Sequence, residues 1–154
     1  MKKLGICLLL ISFLVSCDTI GIFEKNSFFK EHSWSSQVKP SFTFTITDTN
    51  SLYQIYAIIR HEDSYRYNNC WLNITTVAPN DTAKSQQVNL LLADNKKGWL
   101  GTGMDDIFDH RIRLTRSPQK LKAGNYTFIL QQIMREDPLS AVLNAGIRIE
   151  KVQP

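Results

Sequence analysis

Phe42-Thr43-Phe44-Thr45-Ile46-Thr47 is the stretch whose reading decides the fold. Apolar and hydroxyl side chains alternate strictly, and a period of two puts every apolar residue on one side of an extended chain. Aromatic and β-branched residues suit a pleated, half-buried surface, so the segment reads as a strand with one face in a core. The same reading repeats downstream. Leu52 to Ile59 is apolar in both phases, as in a central strand. Trp71 to Val77 sets Leu72 and Ile74 on one side before the turn Pro79-Asn80-Asp81. Val88, Leu90 and Leu92 make a fourth strand, and Phe108, His110, Ile112 and Leu114 alternate with Asp109, Arg111 and Arg113 in a fifth. Ala123-Gly124-Asn125 turns into a sixth on Tyr126, Phe128 and Leu130, with Ile129 and Ile133 opposite. Ile147 and Ile149 alternate with Arg148 and Glu150 in the last, and a helical turn or two is expected near Pro138 to Leu143. Seven or eight strands separated by turn residues specify an all-β fold, an antiparallel β-sandwich of immunoglobulin-like or jelly-roll-like kind.

Upstream the character changes. Lys2 and Lys3 precede an uncharged run of 12 residues, Leu4 to Val15. A membrane-spanning helix needs about 20 apolar residues, so this run is too short to span and suits a signal-peptide core. Leu14-Val15-Ser16-Cys17 reads as a lipobox: cleavage after the small Ser16 exposes Cys17, which is acylated. Each buried methylene of an acyl chain contributes roughly 0.8 kcal/mol, and two chains hold a protein on a membrane stably. The expected organisation is a lipoprotein signal peptide at 1–16, a lipidated N-terminus and tether at 17–26, and a single β-sandwich domain at 27–154.

Of the 18 Lys and Arg residues, two leave with the signal peptide, so 16 face 14 acidic residues and the mature net charge is +2. No Lys/Arg run exceeds two residues, which argues against nucleic-acid binding. Cys7 leaves with the signal peptide and Cys17 carries lipid, so Cys70 stands alone and no internal disulfide is expected. It sits at the head of an apolar run and reads as a buried structural thiol.

The densest polar segment is Ala93 to Asp106. Its aspartates suggest a calcium loop, but the D-x-[DN]-x-[DN]-G spacing is absent and Lys96 and Lys97 would intrude among the ligands. The reading adopted is two β-turns, with Gly98, Gly101 and Gly103 at positive φ and Trp99 tucked between sheets. His32, His61 and His110 lie far apart without metal-site spacing, and no nucleophile elbow, P-loop or paired-carboxylate signature occurs. Neither catalytic residues, a metal nor a cofactor is expected. Tyr53, Tyr56, Tyr65, Tyr67 and Trp71, with Arg60 and Arg66 among them, make an aromatic-rich third that is either core or a recognition surface. Tyr65, Arg66, Tyr67 and Trp71, together with Asp109, Arg111 and Arg113 on the charged strand face, are the candidate partner-binding residues, with the Tyr65–Trp71 and Gly98–Asp109 loops as the other contact segments expected. The alternative reading is a glycan-binding module with the aromatic third as its platform.

Several blocks together carry a likeness. Tyr65-Arg66-Tyr67-Asn68-Asn69-Cys70-Trp71-Leu72, Leu92-Ala93-Asp94 with Gly98-Trp99-Leu100-Gly101, Asp109-His110, Gln132-Ile133-Met134-Arg135 and Gly146-Ile147-Arg148-Ile149-Glu150-Lys151 resemble the GldH family, gliding-motility lipoproteins of Bacteroidota. The resemblance implies an outer-membrane lipoprotein, facing the periplasm, that is a non-enzymatic accessory subunit of the gliding apparatus and its associated secretion machinery. Its partners would be other envelope lipoproteins or outer-membrane proteins of that machinery. Asp81-Thr82-Ala83 also resembles the O-glycosylation pattern of that phylum, which makes Thr82 a candidate modification site.

Overall fold

The computed structural model describes residues 21–152, so the signal peptide and Cys17 lie outside the described residues. The described chain opens with β1 (Ile22–Phe28), a 3-10 turn at Lys30–His32, β2 (Ser33–Trp34), β3 (Ser41–Ile46) and β4 (Leu52–Glu62). It continues through β5 (Asn69–Val77), β6 (Lys84–Leu91), β7 (Ala93–Asp94), β8 (Gly98–Trp99) and β9 (Thr102–Met104). β10 (Ile107–Arg113), β11 (Gln119–Lys120), β12 (Gly124–Gln132), β13 (Leu139–Ser140) and β14 (Val142–Val152) complete it.

Two antiparallel sheets take most of these strands. One has the order β1-β14-β4-β10-β9, with β11 also on β4, and the other the order β3-β12-β5-β6. The chain crosses between them repeatedly: β3 to β4, β4 to β5, β10 to β12 and β12 to β14 all change sheet. Each long strand therefore needs one apolar face, and the register supplies it. Phe42, Phe44 and Ile46 point inward, and Phe44 meets the Phe128 ring edge-on at 6.2 Å. Leu72, Ile74 and Leu130 from this sheet and Ile59, Ile147 and Ile149 from the other share one fully buried core. Each such side chain contributes roughly 1.5–3 kcal/mol by leaving water. Trp34 closes one end, stacked on Phe29 at 4.7 Å with its Nε1–H donating to the Val38 carbonyl at 2.8 Å.

All seven strands read from the sequence are present, with β4 and β12 internal to their sheets as expected. Two features differ from the expected pattern. Ile22–Phe28 is strand β1, paired along its length with β14, so residues read as tether from the sequence take part in the sheet. β1 is an edge strand whose side chains are almost all exposed, and its main chain needs only a partner edge, so no apolar alternation marks it. The helical turn expected near Pro138 to Leu143 is instead β13, paired with β2, followed by Ala141 at φ 63° and the start of β14. A register shift between Val142 and Asn144 breaks the period of two, and the resulting apolar spacing imitates a helix.

Candidate functional site

β10 presents Asp109, Arg111 and Arg113 outward, opposite Arg60, Ile58 and Tyr56 of β4. On this outer face Arg60 Nη2 pairs with Asp109 Oδ2 at 3.1 Å. Further along, Arg148 of β14 holds Glu24 of β1 at 2.7 Å and also pairs with Glu150. Partial burial pushes the Glu24 carboxyl up, but hydrogen bonds from Arg148 and Asn26 and the nearby Arg111 charge outweigh it and hold it below its usual range. Arg111 and Arg113 are exposed and, among the described residues, neither has an ion-pair partner. The face therefore carries two exposed guanidinium groups on adjacent outward positions, neither in a direct ion pair, with Arg111 near enough to Glu24 to favour its ionised form.

Beside them the β9–β10 hairpin forms a groove of about 790 Å³. Leu100, Met104 and Ile107 supply exposed apolar surface, Met104 at 74%, and Arg60, Arg111, Asp105, Asp106 and Asp109 line it with both signs of charge. Gly98 takes φ 74°, but Gly101 and Gly103 do not take positive φ, contrary to the sequence expectation. Their requirement is closeness: a Cβ at Gly101 would sit 2.6 Å from the Asp109 carbonyl oxygen, and one at Gly103 2.8 Å from the Phe108 ring. Asp94 caps its own turn, accepting from the backbone N–H groups of Lys96 at 2.8 Å and Lys97 at 3.1 Å.

An aromatic cluster rivets this loop to the sheet. Trp99 packs on His61 at 4.4 Å and Phe108 at 5.6 Å, and its Nε1–H donates to Asp63 at 2.7 Å. His61 Nδ1 lies 2.7 Å from the Glu62 carbonyl oxygen and so carries the proton it donates there. Its Nε2 then accepts from His110 Nε2–H at 2.8 Å. Burial, with His61 adjacent, pushes His110 down to about 4, and burial lowers His61 as well. The pair is neutral and structural. Among the described residues no three His, Cys, Asp or Glu side chains gather as a metal site.

The remaining candidates do not join this groove. Tyr65 is buried and its hydroxyl donates to the Asn69 carbonyl at 2.9 Å, which removes it from any surface. Cys70 is also buried, and its thiol is pushed up to about 12 by burial, so it is unreactive. Arg66 and the Tyr67 hydroxyl both bind Glu136, at 3.0 and 2.8 Å. Trp71, 40% exposed, stands on the outer face of the other sheet. Thr82 lies in the exposed β5–β6 hairpin loop. The seven candidate partner-binding residues thus divide between two surfaces and the interior. Leu100, Met104 and Ile107 lie within the Gly98–Asp109 loop offered by the sequence, which did not single them out; the apolar residues flanking the Asp105-Asp106 turn were the available signal.

The sequence profile of the GldH lipoprotein matches residues 21–149. The chain belongs to the GldH lipoprotein family. It is 24% identical over 143 residues to the gliding motility lipoprotein GldH homolog of Christiangramia forsetii, covering 88% of this chain and 87% of that one. It is also 24% identical over 157 residues to the gliding motility lipoprotein GldH of Flavobacterium johnsoniae, covering 97% of both. Among solved structures, the X-ray structure of a carbohydrate-binding module specific for non-crystalline cellulose aligns at TM-score 0.46 and 9% identity, over 84% of this chain and 73% of that one. No helix of the described residues is long and apolar enough to cross a membrane.

Proposed function

We propose that this GldH-family protein is a non-enzymatic accessory subunit of the gliding motility machinery and its associated secretion apparatus. Acylated Cys17 anchors it to the outer membrane, and the β-sandwich faces the periplasm. The observation that carries the reading is the β9–β10 groove, where exposed Leu100, Met104 and Ile107 adjoin Arg111 and the turn carboxylates Asp105 and Asp106. Apolar surface of this kind contributes affinity on burial, and the charges around it, with Arg111 and Arg113 exposed on the adjoining strand face, fix a partner's register and speed its approach. Thr82, exposed in its loop, is the glycan attachment site in this reading.

The test is a photocrosslinking residue at position 104 in intact cells, with a second at position 43 on the opposite sheet as control. Position 104 should capture envelope proteins of the motility or secretion apparatus that position 43 does not. R111E/R113E should lose those adducts without unfolding, and C17A should release the protein from the membrane fraction. Equal capture from R111E/R113E would sink the groove as a docking site.

A further inference from the structure

The outward residues of β3, β12, β5 and β6 include no Asp, Glu, Lys or Arg, among them Thr43, Thr127, Asn73, Thr75, Gln87 and Asn89. At one end of this neutral face lies a groove of about 670 Å³ lined by Tyr67, Asn69, Trp71, Gln87, Ile133, Met134 and Arg135. It is built rather than incidental. Trp71 is held at its backbone, where its N–H donates to Met134 Sδ at 3.2 Å and its carbonyl accepts from Ile133 at 3.0 Å. The Tyr67 ring is fixed through its hydroxyl, which donates to Glu136 at 2.8 Å. Glu136 is ionised to receive it: hydrogen bonds from Ser140 and Tyr67 hold its carboxyl down at about 2.

This set of groups fits one ligand class. A pyranose has an apolar C–H face and a rim of hydroxyls that both donate and accept. An exposed indole offers a flat, negative face to the first, and amide side chains, donor and acceptor in one plane, match the second. A charged protein partner would find only Arg135 to answer it here, and a phosphate would find that one arginine without a second cation. The volume suits a short oligosaccharide rather than a single ring. We propose that this groove binds an oligosaccharide, with a sugar ring stacked on Trp71 and its hydroxyls taken by Asn69, Gln87 and Arg135. The inference is independent of the docking groove on the opposite sheet.

The test is a titration of the full-length lipoprotein in detergent with cellohexaose, maltohexaose and hexagalacturonate, followed by tryptophan fluorescence and calorimetry. At least one hexamer should quench saturably at millimolar concentration or below. Trp71→Ala should weaken it at least about tenfold with unchanged melting temperature, and Trp71→Phe should keep most of the affinity. R111E/R113E should bind as wild type. Binding by none of the three hexamers, or binding that survives Trp71→Ala, overturns the proposal.

Discussion

Across the outer side of the β1-β14-β4-β10 sheet, neighbouring strands are joined by charge, at Glu24–Arg148 and Arg60–Asp109, with Glu150 adding to Arg148 along β14. Across the outer side of the β3-β12-β5-β6 sheet they are joined by neutral contacts: Thr43–Thr127 at 2.9 Å, Thr45–Asn125 at 2.8 Å, Thr75–Ser85 at 2.7 Å and Asn69–Asn89 at 2.8 Å. Exposed ion pairs contribute about 0–1 kcal/mol and cross-strand polar pairs about 0.2–1 kcal/mol. Stability is therefore indifferent between the two kinds of surface. They differ in what they do to an approaching molecule, since charge acts over about 10 Å of salt solution and neutral donors act only on contact. One face is suited to steering a partner and the other to holding a ligand already in place.

The first way to break this contrast is to separate the sheets' structural dependence. Gly146 lies under β1, and an added Cβ would stand 2.3 Å from the Lys25 carbonyl oxygen and 2.0 Å from Asn26 Oδ1. Backbone cannot yield as a side-chain tip can, so Gly146→Ala should cost about 3 kcal/mol, the upper end of overpacking, in urea denaturation. Thr75→Ala on the neutral face should cost less than about 1 kcal/mol. Equal costs would mean that β1 is loosely held and the charged face has no fixed edge.

Acid should act next, and again through the charged sheet. His110 is held down to about 4 in the folded chain, against an ordinary value of 6.5. Above pH 6.5 both states are neutral there and the pair adds full stability. As pH falls below 6.5 the unfolded chain takes up protons that the folded chain refuses, so stability drops until pH reaches the folded value. Between neutral pH and about pH 4.5 the loss should be on the order of 2 kcal/mol. His110→Gln keeps a donor for His61 Nε2 and should flatten that part of the pH–stability curve; an unchanged slope would exclude the pair as its origin.

How much of this was legible depends on whether a residue's role shows in its nearest neighbours along the chain. The alternation at Phe42–Ile46 and Phe108–Arg113 reports burial directly, so the core strands and the charged face were readable. β1 was not, because an edge strand is recruited by main-chain hydrogen bonds that carry no side-chain pattern. Tyr65 and Tyr67 are two residues apart and look alike, yet one is buried and the other is tied to Glu136, 69 residues away. The grooves needed the fold, since Trp71, Gln87 and Arg135 meet only through the β12-β5-β6 register. The seven candidate residues are divided in place between two surfaces and the interior.

Salt should then sharpen the difference in function. Raising ionic strength from about 0.05 to 0.5 M shortens the screening length from about 14 Å to about 4 Å. Association of the captured envelope partner with the Arg111/Arg113 face should weaken about tenfold, mostly in on-rate. Hexamer binding at Trp71 should change less than about twofold, because no ionised pair is made unless the sugar is a uronate. Equal salt sensitivity of the two ligands would erase the division of labour.

The smallest effect is the most local. Thr127→Val keeps the shape and strand preference of the side chain and removes only the hydroxyl contact to Thr43. Thr43 is exposed, so its hydroxyl turns to water and the net loss should be about 0.5 kcal/mol, the same at low and high salt. Glu24→Gln on the other face removes one arm of the Arg148 pairing, and its cost should shrink as salt rises. Both are read from urea midpoints at two ionic strengths. A Thr127→Val loss above about 1.5 kcal/mol would mean that Thr43 cannot reach water, and hence that the neutral face is covered in the protein as it stands. In that case it would be an interface and not an open ligand platform.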